Sequence, residues 1–598
     1  MRVLLGFAFL VAGHLGLPAQ VRHVRPSPRA AQVGEDLPWI SDIATALKRA
    51  EKEGKKVLWY VPRVPGTPMD RLPELDLYMR AGFFSEPLLR PVFARFVLCR
   101  ARPTPREAGR WALRPFQFIE PGFLVLDPGG KELLRRHGLS TFSPYWLREQ
   151  LARVAKVPEL RPEPAVASLL AALGRGDAEG AWTLYQKKPK GSPSWRFLGA
   201  TAAFLAHHEK DSDKLLRTLA HGPSPLASRA AAELEGFGPL RRGFWTWRRL
   251  PEDPDPEAPG TTRNRSPKDL PLLRERSIAF LLRMQRANGG FEDSNYDFGG
   301  LDSLPNVHCA VTALALQALL EHRKGREALL DPAISLGLAY LLDPKHYADA
   351  DRDEWIWAKV YPIQLFARML ETRQFCGLKE SKLRAALQRF VQELGARQQG
   401  DGSFRHEYRN PFVTASVLHV MNLAKAQGAK LPKDLVPRAL VSLQRCRARN
   451  GGFTYSQWAG RALPRVALIR AAGRMPLCES ALFVWSASDR KRLRTALDTA
   501  LKFHQEMERA RKYDDHTPPN IYGGFFYFYD LWGRVLAIRS LARVSRSLAD
   551  RYRQDLQKRV LATSEIDGTF IDSHELGRSY GTAMALLCLK HCSEASSR

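Results

Sequence analysis

The stretch LLRMQRANGGFEDS, residues 281–294, contains a short pattern that the C-terminal half of the chain repeats. The pattern is a glutamine, a glycine four positions later and an aromatic residue two positions after that. Its two full copies are Gln285, Gly289 and Phe291, and Gln398, Gly402 and Phe404. Looser copies occupy residues 444–453 and 564–570, and the second of these keeps Gly568 and Phe570. Such repetition predicts one helical unit used several times.

Helical patterns flank each copy of this element, which we call the clasp. An amphipathic segment such as LRAALQRFVQEL precedes it, and a more apolar segment such as FVTASVLHVMNLAKA follows it. The glycine permits a tight reversal, the glutamine can bond free backbone groups at helix ends, and the aromatic ring fills the gap between units. With two degenerate units between the copies, the sequence predicts six helical hairpins between residues 275 and 591.

Six such hairpins resemble the α/α toroid of terpenoid (squalene) cyclases and protein prenyltransferase β subunits, whose repeat is this element. The resemblance covers residues 272–592 and implies an all-α (α/α)6 toroid. It also implies that the second helix of each hairpin lines a cavity, with functional residues at the N-terminal starts of these helices. The cavity candidates at those starts are His308, Asp353, Trp357, His406, Tyr408, His516, Tyr527, Asp572, His574, Arg578 and Tyr580.

The prenyltransferase resemblance implies a zinc site made by an Asp-x-Cys pair and a histidine. Here Cys309 is present, but Val307 takes the place of the aspartate and Gly581 the place of the histidine. Two of the three zinc ligands are therefore missing. We expect no metal and no other cofactor.

Class II terpenoid cyclases protonate their substrate with the middle acid of an Asp-x-Asp-Asp motif. The run DRDE at residues 351–354 is close to that motif and places Asp353 in the middle, where a neighbouring acid could keep it protonated. The fourth acid is Glu354 rather than Asp, and the cyclases use two helical domains where this chain has one toroid. Asp353 is thus the candidate general acid of an alternative, enzymatic interpretation.

The chain begins with MRVLLGFAFLVAGHLGLPAQ, which is typical of a secretory signal. Arg2 precedes an apolar run, and small residues offer cleavage after Ala19. We predict a signal peptide at residues 1–19 and an exported protein, periplasmic or secreted, with an uncleaved anchor as the alternative. Later stretches all carry too many charges to span a bilayer, so no transmembrane segment is expected in the mature chain.

The composition narrows the classes of partner. The formal net charge is +29, from 91 basic and 62 acidic residues, but no compact Lys/Arg block has interleaved aromatics. The charge therefore fits solvated helix faces, and no nucleic acid is expected as a partner. The seven cysteines are an odd and sparse set, which argues against a disulfide framework.

Residues 37–156 show an α/β pattern of strand, helix, strand, hairpin and helix, which resembles a thioredoxin fold. That family carries two redox cysteines where this chain reads VPGTP, residues 64–68, and its cis-proline corresponds to Pro121. Thiol–disulfide exchange needs a thiolate, so the resemblance implies a redox-inactive domain. Such a domain could dock a partner or simply support its neighbour.

Residues 160–249 are rich in Ala and Leu and predict a helical spacer, and the Pro- and charge-rich residues 250–271 predict a linker. The sequence thus predicts a multidomain protein: an α/β thioredoxin-like domain, a helical spacer and an all-α toroid. The preferred function is an exported binding or scaffold protein. Its toroid cavity would bind a hydrophobic (isoprenoid) or peptide ligand, and its thioredoxin-like domain would dock a protein partner. The alternative is a terpenoid-cyclase-like enzyme acting on an isoprenoid.

Overall fold

A computed structural model describes residues 25–67, 72–139, 141–155, 164–244, 265–296, 303–457, 465–512 and 526–593. Within these ranges the protein is mostly helical and has a small four-stranded mixed sheet near its N-terminal end, which confirms the fold prediction at this coarse level. The predicted signal peptide (1–19), most of the predicted linker (250–271) and His516 lie outside the described residues. No helix within those ranges combines the length and the apolar character that crossing a bilayer requires.

The sheet has a central strand that is buried on both faces. Its strands are β1 (Lys56–Val61), β2 (Phe96–Arg100), β3 (Gly122–Leu126) and β4 (Glu132–His137), in the order β2-β1-β3-β4. β1 pairs in parallel with β2 and antiparallel with β3, which forms a hairpin with β4. Because side chains alternate along a strand, Leu58 and Tyr60 enter one hydrophobic core while Val57 and Trp59 enter another.

Helices cover both faces of this sheet. They are α1 (Ile43–Glu53), α2 (Leu72–Met79), α3 (Arg90–Phe93), α4 (Pro105–Arg110) and α5 (Pro144–Ala155). α1 and α4 contribute to the core of Val57 and Trp59, and α2 and α5 contribute to the core of Leu58 and Tyr60. The buried Val64, in the turn after β1, donates its backbone N–H to Glu120 Oε1 at 3.1 Å, and the Glu120–Pro121 peptide bond is cis.

The helices of the predicted spacer pack against the sheet. They are α6 (Pro164–Arg175), α7 (Ala178–Lys187), α8 (Pro193–Leu205), α9 (Glu209–His221) and α10 (Ala227–Leu234). Their apolar side chains share one core with Leu58 and Tyr60. A buried ion pair of 2.8 Å joins Arg229 of α10 to Glu86, which precedes α3. Residues 25–244 therefore contain one packed unit, which we call the N-terminal unit.

The C-terminal half consists of helices in successive pairs. Within the described ranges the pairs are α11 (Leu270–Met284) and α12 (Ser303–Glu321), α13 (Glu327–Leu342) and α14 (Trp357–Thr372), α15 (Glu380–Ala396) and α16 (Pro411–Ala426), α17 (Leu435–Arg445) and α19 (Arg474–Val484), α20 (Arg490–Lys502) and α22 (Tyr527–Ala542), and α23 (Arg546–Ala562) and α24 (Gly577–Ser593). The short helices α18 (Leu468–Ala471) and α21 (His504–Ala510) lie inside two of these pairs.

The second helices of the pairs contact one another in a closed cycle. α12 packs on α14, α14 on α16, α16 on α19, α19 on α22, α22 on α24, and α24 returns to α12. Each first helix packs on the second helix of the preceding pair, and α11 packs on α24. We call the second helices the inner helices and the whole assembly the helix ring.

Each of the two full clasps fastens its own helix pair to the next one. Gln398 Nε2 donates to the carbonyl oxygen of Gly402, within its own turn, at 3.0 Å, and to that of Leu435, in the next pair, at 2.9 Å. The first clasp repeats this arrangement, with Gln285 Nε2 bonded to the carbonyl oxygens of Gly289 at 3.0 Å and Ala333 at 2.8 Å. The side-chain amide thus donates to one backbone carbonyl in its own turn and to one in the first helix of the next pair.

The backbone conformation and close packing of the clasp also require its glycine and its aromatic residue. Gly402 has φ +85°, and a Cβ there would overlap the carbonyl oxygen of Arg438 in α17. Phe404 is fully buried, and its N–H donates to Thr414 Oγ1 of α16 at 3.0 Å. The same threonine contact recurs from Phe291 to Thr312 at 3.0 Å and from Phe570 to Thr582 at 3.2 Å. The threonine is a part of the repeat that the sequence prediction missed.

Buried polar side chains connect the helix ring to the N-terminal unit. Lys512 Nζ donates to the carbonyl oxygen of Gly138 at 3.2 Å and pairs with Glu565 Oε1 at 2.9 Å. Arg578 donates to the carbonyl oxygen of Gly243 at 2.7 Å. The two parts of the molecule are therefore in direct contact around these side chains.

Candidate functional site

A cluster of polar side chains lies at the end of the helix ring where α14 begins. The short strands β5 (Arg405–His406) and β6 (Tyr408–Arg409) form a hairpin that places His406 beside this helix start. Nδ1 of His406 lies 3.0 Å from Glu354 Oε2, 3.2 Å from the carbonyl oxygen of Asp353 and 3.2 Å from Trp357 Nε1. The structure thus brings together the candidates Asp353, Trp357 and His406 and adds Glu354. We call this group the rim cluster.

The three acids of residues 351–354 have different surroundings. Asp351 Oδ1 accepts the backbone N–H groups of Asp353 at 2.9 Å and Glu354 at 3.0 Å, so it caps the helical turn. Asp353 Oδ1 pairs with Arg405 at 3.1 Å. Glu354 is fully buried, and burial raises its pKa while His406 opposes that effect.

Aromatic side chains continue from the rim cluster into the ring. Trp357 stacks on Tyr361 with ring centroids 5.8 Å apart and meets Tyr529 edge-on at 5.6 Å. The hydroxyl oxygens of Tyr529 and Ser416 lie 2.8 Å apart. Burial raises the pKa values of the Tyr361 and Tyr529 phenols, so this lining is polar but uncharged.

Asp572 and Tyr527 meet at the start of α22. The carboxylate of Asp572 accepts the N–H of Tyr527 at 3.1 Å and of Phe528 at 2.7 Å, so it caps that helix. Burial raises the pKa of Asp572 to about 7, although both hydrogen bonds favour the charged form. Burial raises the pKa of the Tyr580 phenol, and electrostatic interactions with the neighbouring Tyr361 and Asp572 raise it further. Asp572 is therefore a helix cap that titrates near neutral pH.

Two candidates lie at the contact with the N-terminal unit. Besides its bond to Gly243, Arg578 pairs with Asp567 Oδ1 at 2.7 Å. The His574 ring packs near Phe244 with centroids 5.4 Å apart, and burial lowers its pKa to about 3. Both side chains contribute to packing between the two parts of the molecule.

The last two described candidates, His308 and Tyr408, contact other parts of the ring. His308 Nε2 lies 3.5 Å from the carbonyl oxygen of Ser294, and burial lowers its pKa. Tyr408 is 38% exposed, with its ring 5.9 Å from that of Tyr455. These contacts place the two side chains in different surroundings from the acids of residues 351–354.

A pocket that the sequence prediction missed lies at the opposite ends of the inner helices. It is formed near their C-termini, and its lining includes Gln317 of α12, Gln364 of α14, Asn422 of α16, Trp532 and Leu536 of α22, and His591 of α24. We call it the end pocket. The sequence signal for it is weak, because it consists of isolated polar residues within otherwise apolar helices.

Hydrogen bonds order the floor of the end pocket. Trp532 Nε1 donates to Gln364 Oε1 at 3.3 Å, and Gln364 Nε2 donates to Gln317 Oε1 at 2.7 Å. Arg539 and Arg543 also line the pocket, at the C-terminal end of α22, where positive charge complements the helix dipole. The pocket thus combines amide groups, an indole and guanidinium groups in one place.

The comparisons with known proteins give no family for this chain. No protein-family model matches it, and no curated protein matches its sequence. Its function therefore has to be argued from the rim cluster, the end pocket and their chemistry.

Proposed function

We propose that residues 272–592 form an α/α toroid of the terpenoid cyclase and prenyltransferase kind. The closed cycle of inner helices and the clasps at the turns support this fold. We likewise propose a thioredoxin-like fold for residues 37–156. Its support is the strand order β2-β1-β3-β4 with helices on both faces of the sheet.

We propose that the protein is an exported, non-enzymatic binding protein whose toroid binds a peptide. The end pocket carries this proposal, because several inner helices contribute to it and its polar groups suit the C-terminal group of a peptide, which is the part that its volume of about 60 Å³ would admit. The Asn422 amide offers donors and an acceptor, and Gln317 and Gln364 each keep at least one N–H and one lone pair beside the hydrogen bonds of the pocket floor. Trp532 and Leu536 offer apolar surface to a ligand side chain, and ligand pockets commonly combine apolar walls with a few polar groups.

The two arginines favour a peptide over an isoprenoid. Arg539 and Arg543 lie one helical turn apart beside the pocket and would attract a C-terminal carboxylate. An isoprenoid hydrocarbon has no group that could compensate the desolvation of amides and guanidinium groups. The peptide is therefore the ligand that we argue for, and an isoprenoid remains an outcome of the test.

The terpenoid-cyclase-like alternative requires Asp353 as its general acid, and the surroundings of Asp353 support that role less well than the end pocket supports peptide binding. Asp353 Oδ1 lies 3.1 Å from Arg405, so a substrate would have to compete with that arginine for the carboxylate. Turnover of an isoprenoid by the purified protein would nevertheless establish the terpenoid-cyclase-like function in place of the binding function.

We predict that tripeptides with free C-terminal carboxylates bind the full chain, and that Leu536→Arg weakens this binding at least tenfold. The arginine would project into the end pocket from a half-buried position. Affinity selection from a tripeptide library, read by mass spectrometry, measures the effect. Amidated versions of the selected peptides should bind at least tenfold more weakly as well.

The control for this experiment is Val441→Arg, which adds the same side chain at a 46% exposed position of α17. It should bind peptides as the parent does. If no peptide is selected, or if Leu536→Arg and Val441→Arg behave alike, the end pocket is not a peptide site. Co-purification of an isoprenoid would favour the hydrophobic ligand instead.

We further propose that the thioredoxin-like domain docks a protein partner without redox chemistry. Its Cys99 is fully buried, and burial raises the pKa of the thiol, so a thiolate does not form there at neutral pH. The partner and the docking face would be identified by cross-linking the exported protein in its own cell envelope.

We predict that the full chain does not accelerate reduction of insulin disulfides by dithiothreitol. The reason is the missing cysteine pair at residues 64–68 together with the buried Cys99. The turbidity assay for insulin precipitation measures the rate, with Cys99→Ser as the control. A clear acceleration that survives Cys99→Ser would show that the domain has thiol chemistry elsewhere.

A further inference from the structure

Three potential metal ligands meet at the rim cluster: two are members of it, and the third is the neighbouring Glu407. Glu354, His406 and Glu407 each offer one ligand atom, and these atoms lie within 4.8 Å of one another. Glu354 comes from the turn before α14, and His406 and Glu407 come from the β5–β6 hairpin. Since Zn–N and Zn–O bonds are about 2.0–2.2 Å long, two ligands of one tetrahedral ion lie roughly 3.3 Å apart. The 3.0 Å between Glu354 Oε2 and His406 Nδ1 is close to that spacing.

The buried carboxylates have unused acceptor capacity. Glu354 is fully buried, yet its Oε1 accepts no hydrogen bond from any of the described residues. Oε1 of Glu407 is buried in the same way and also lacks a donor among those residues. Burying a carboxylate oxygen without a partner is unfavourable, and buried carboxylates normally pair or coordinate a metal. A cation between these two side chains would supply the missing partner.

Nδ1 of His406 has both hydrogen-bond acceptors and a hydrogen-bond donor as neighbours, so neither the protonated nor the deprotonated nitrogen suits all of them. A proton on Nδ1 would suit Glu354 Oε2 and the carbonyl oxygen of Asp353, but it would face the indole N–H of Trp357. A lone pair on Nδ1 would accept from Trp357 but would face the carboxylate instead. A metal ion bound by the Nδ1 lone pair, with Glu354 as a second ligand, would satisfy the carboxylate without a proton on the imidazole nitrogen.

The local charge also favours a cation, although the whole chain is strongly basic. Asp351, Asp353, Glu354 and Glu407 all lie near this point. Among the described residues, Asp353 is the acid of this group that pairs with an arginine. Asp351 instead accepts backbone N–H groups and the amide of Asn306 at 2.9 Å.

We infer that Glu354, His406 and Glu407 bind one divalent first-row transition-metal ion, such as Zn²⁺. One imidazole and two carboxylates form a mixed donor set, which suits these ions better than Ca²⁺, which takes six to eight oxygen ligands. Three protein ligands leave at least one coordination position for water or a ligand. Cys309, the prenyltransferase-type ligand that the sequence retains, is not one of these three ligands. Its Sγ donates to the carbonyl oxygen of His346 at 3.2 Å, and burial raises the pKa of the thiol to about 12. The inference does not depend on the peptide-binding proposal.

The test is metal binding by the full chain after treatment with a chelator and removal of any tag. Titration with Zn²⁺ should show one site per chain, and Co²⁺ should give visible absorption bands from a protein-bound ion. Glu407→Gln should weaken Zn²⁺ binding at least tenfold and remove the Co²⁺ bands. Because Glu407 is half-buried and Gln keeps its shape, the melting temperature of the metal-free protein should stay within a few degrees of the parent.

Two controls separate this site from others. Cys309→Ala should bind Zn²⁺ as the parent does, since that thiol is not a ligand here. Glu380→Gln, at an acid of α15 outside the rim cluster that pairs with Arg384, should retain binding within threefold. The inference is overturned if the metal-free protein takes up no Zn²⁺, if Glu407→Gln binds it like the parent, or if Ca²⁺ binds as tightly as Zn²⁺. A loss of binding in Cys309→Ala would equally overturn it in favour of a thiolate site.

Discussion

Replacing Gly402 with alanine is expected to destabilise the helix ring by roughly 2–5 kcal/mol, because two penalties add. The residue has φ +85°, which disfavours a β-carbon, and the new methyl group would overlap the backbone of Arg438. Phe404→Ala, in the same clasp, should cost about 3–5 kcal/mol because it empties a fully buried position. Urea unfolding followed by tryptophan fluorescence measures both effects.

Substitutions at two other glycines distinguish the cost of the positive φ from the cost of the steric overlap. Gly451, in a looser clasp, has φ +83° but open space where a β-carbon would lie, so Gly451→Ala should cost only about 1–2 kcal/mol. Gly400 has neither a positive φ nor a neighbour within 4 Å of such a β-carbon, so Gly400→Ala should be nearly neutral. If Gly402→Ala unfolds like Gly400→Ala, the clasp does not hold the pairs together as described.

Asp572→Asn is expected to change how stability depends on pH. The folded-state pKa of Asp572 is about 7, above the unfolded value of about 3.8, so the folded protein binds a proton more tightly. Its contribution is therefore most favourable below pH 4 and is lost as the pH rises to about 7. The difference amounts to roughly 4 kcal/mol at most and is constant at higher pH.

The measurement is the difference in unfolding free energy between the parent and Asp572→Asn at several pH values. This difference should fall from pH 4 to pH 7, because the asparagine does not ionise. Its value at any one pH also contains the lost bond to Tyr527 or Phe528, so the slope is the informative quantity. The exposed Asp211→Asn serves as control and should show no comparable slope. A slope equal to that control would mean that Asp572 is already ionised at pH 4.

Residue spacing in the sequence is enough to predict many of the helices and turns of the helix ring. The spacing of glutamine, glycine and aromatic residues pointed to turns between helices, and the structure places Gln285 and Gln398 in equivalent hydrogen bonds. The partner threonines such as Thr414 were missed because their separation from the clasp varies with the length of the turn. The hydrophobic periodicity of the sequence predicts where one helix pair ends and the next begins, but it does not predict which residues of different pairs are in contact.

The sites were harder to predict because they join distant segments. Glu354 and His406 are far apart in sequence, and Glu354 looked like the mismatched end of a cyclase motif rather than the buried acid of a cluster. His574 and Arg578 looked like cavity residues because their helix start was known but the packing of the N-terminal unit on it was not. The end pocket needs several inner helices at once, which periodicity within one helix cannot show.

The closed cycle of inner helices also constrains how the chain acquires its structure. α11 and α12 both pack on α24, and Ser277 Oγ of α11 donates to the carbonyl oxygen of Gly568 at 3.1 Å. The first helix pair therefore depends on the last one for its packing. Contacts between such distant segments slow folding, because the entropy of closing a long loop is lost before they form. Until α24 is synthesised, the apolar faces of α11 and α12 lack their neighbour. The emerging chain would then offer a chaperone an extended hydrophobic surface, and a nonsense mutation before α24 would leave an open, aggregation-prone product rather than a shorter ring.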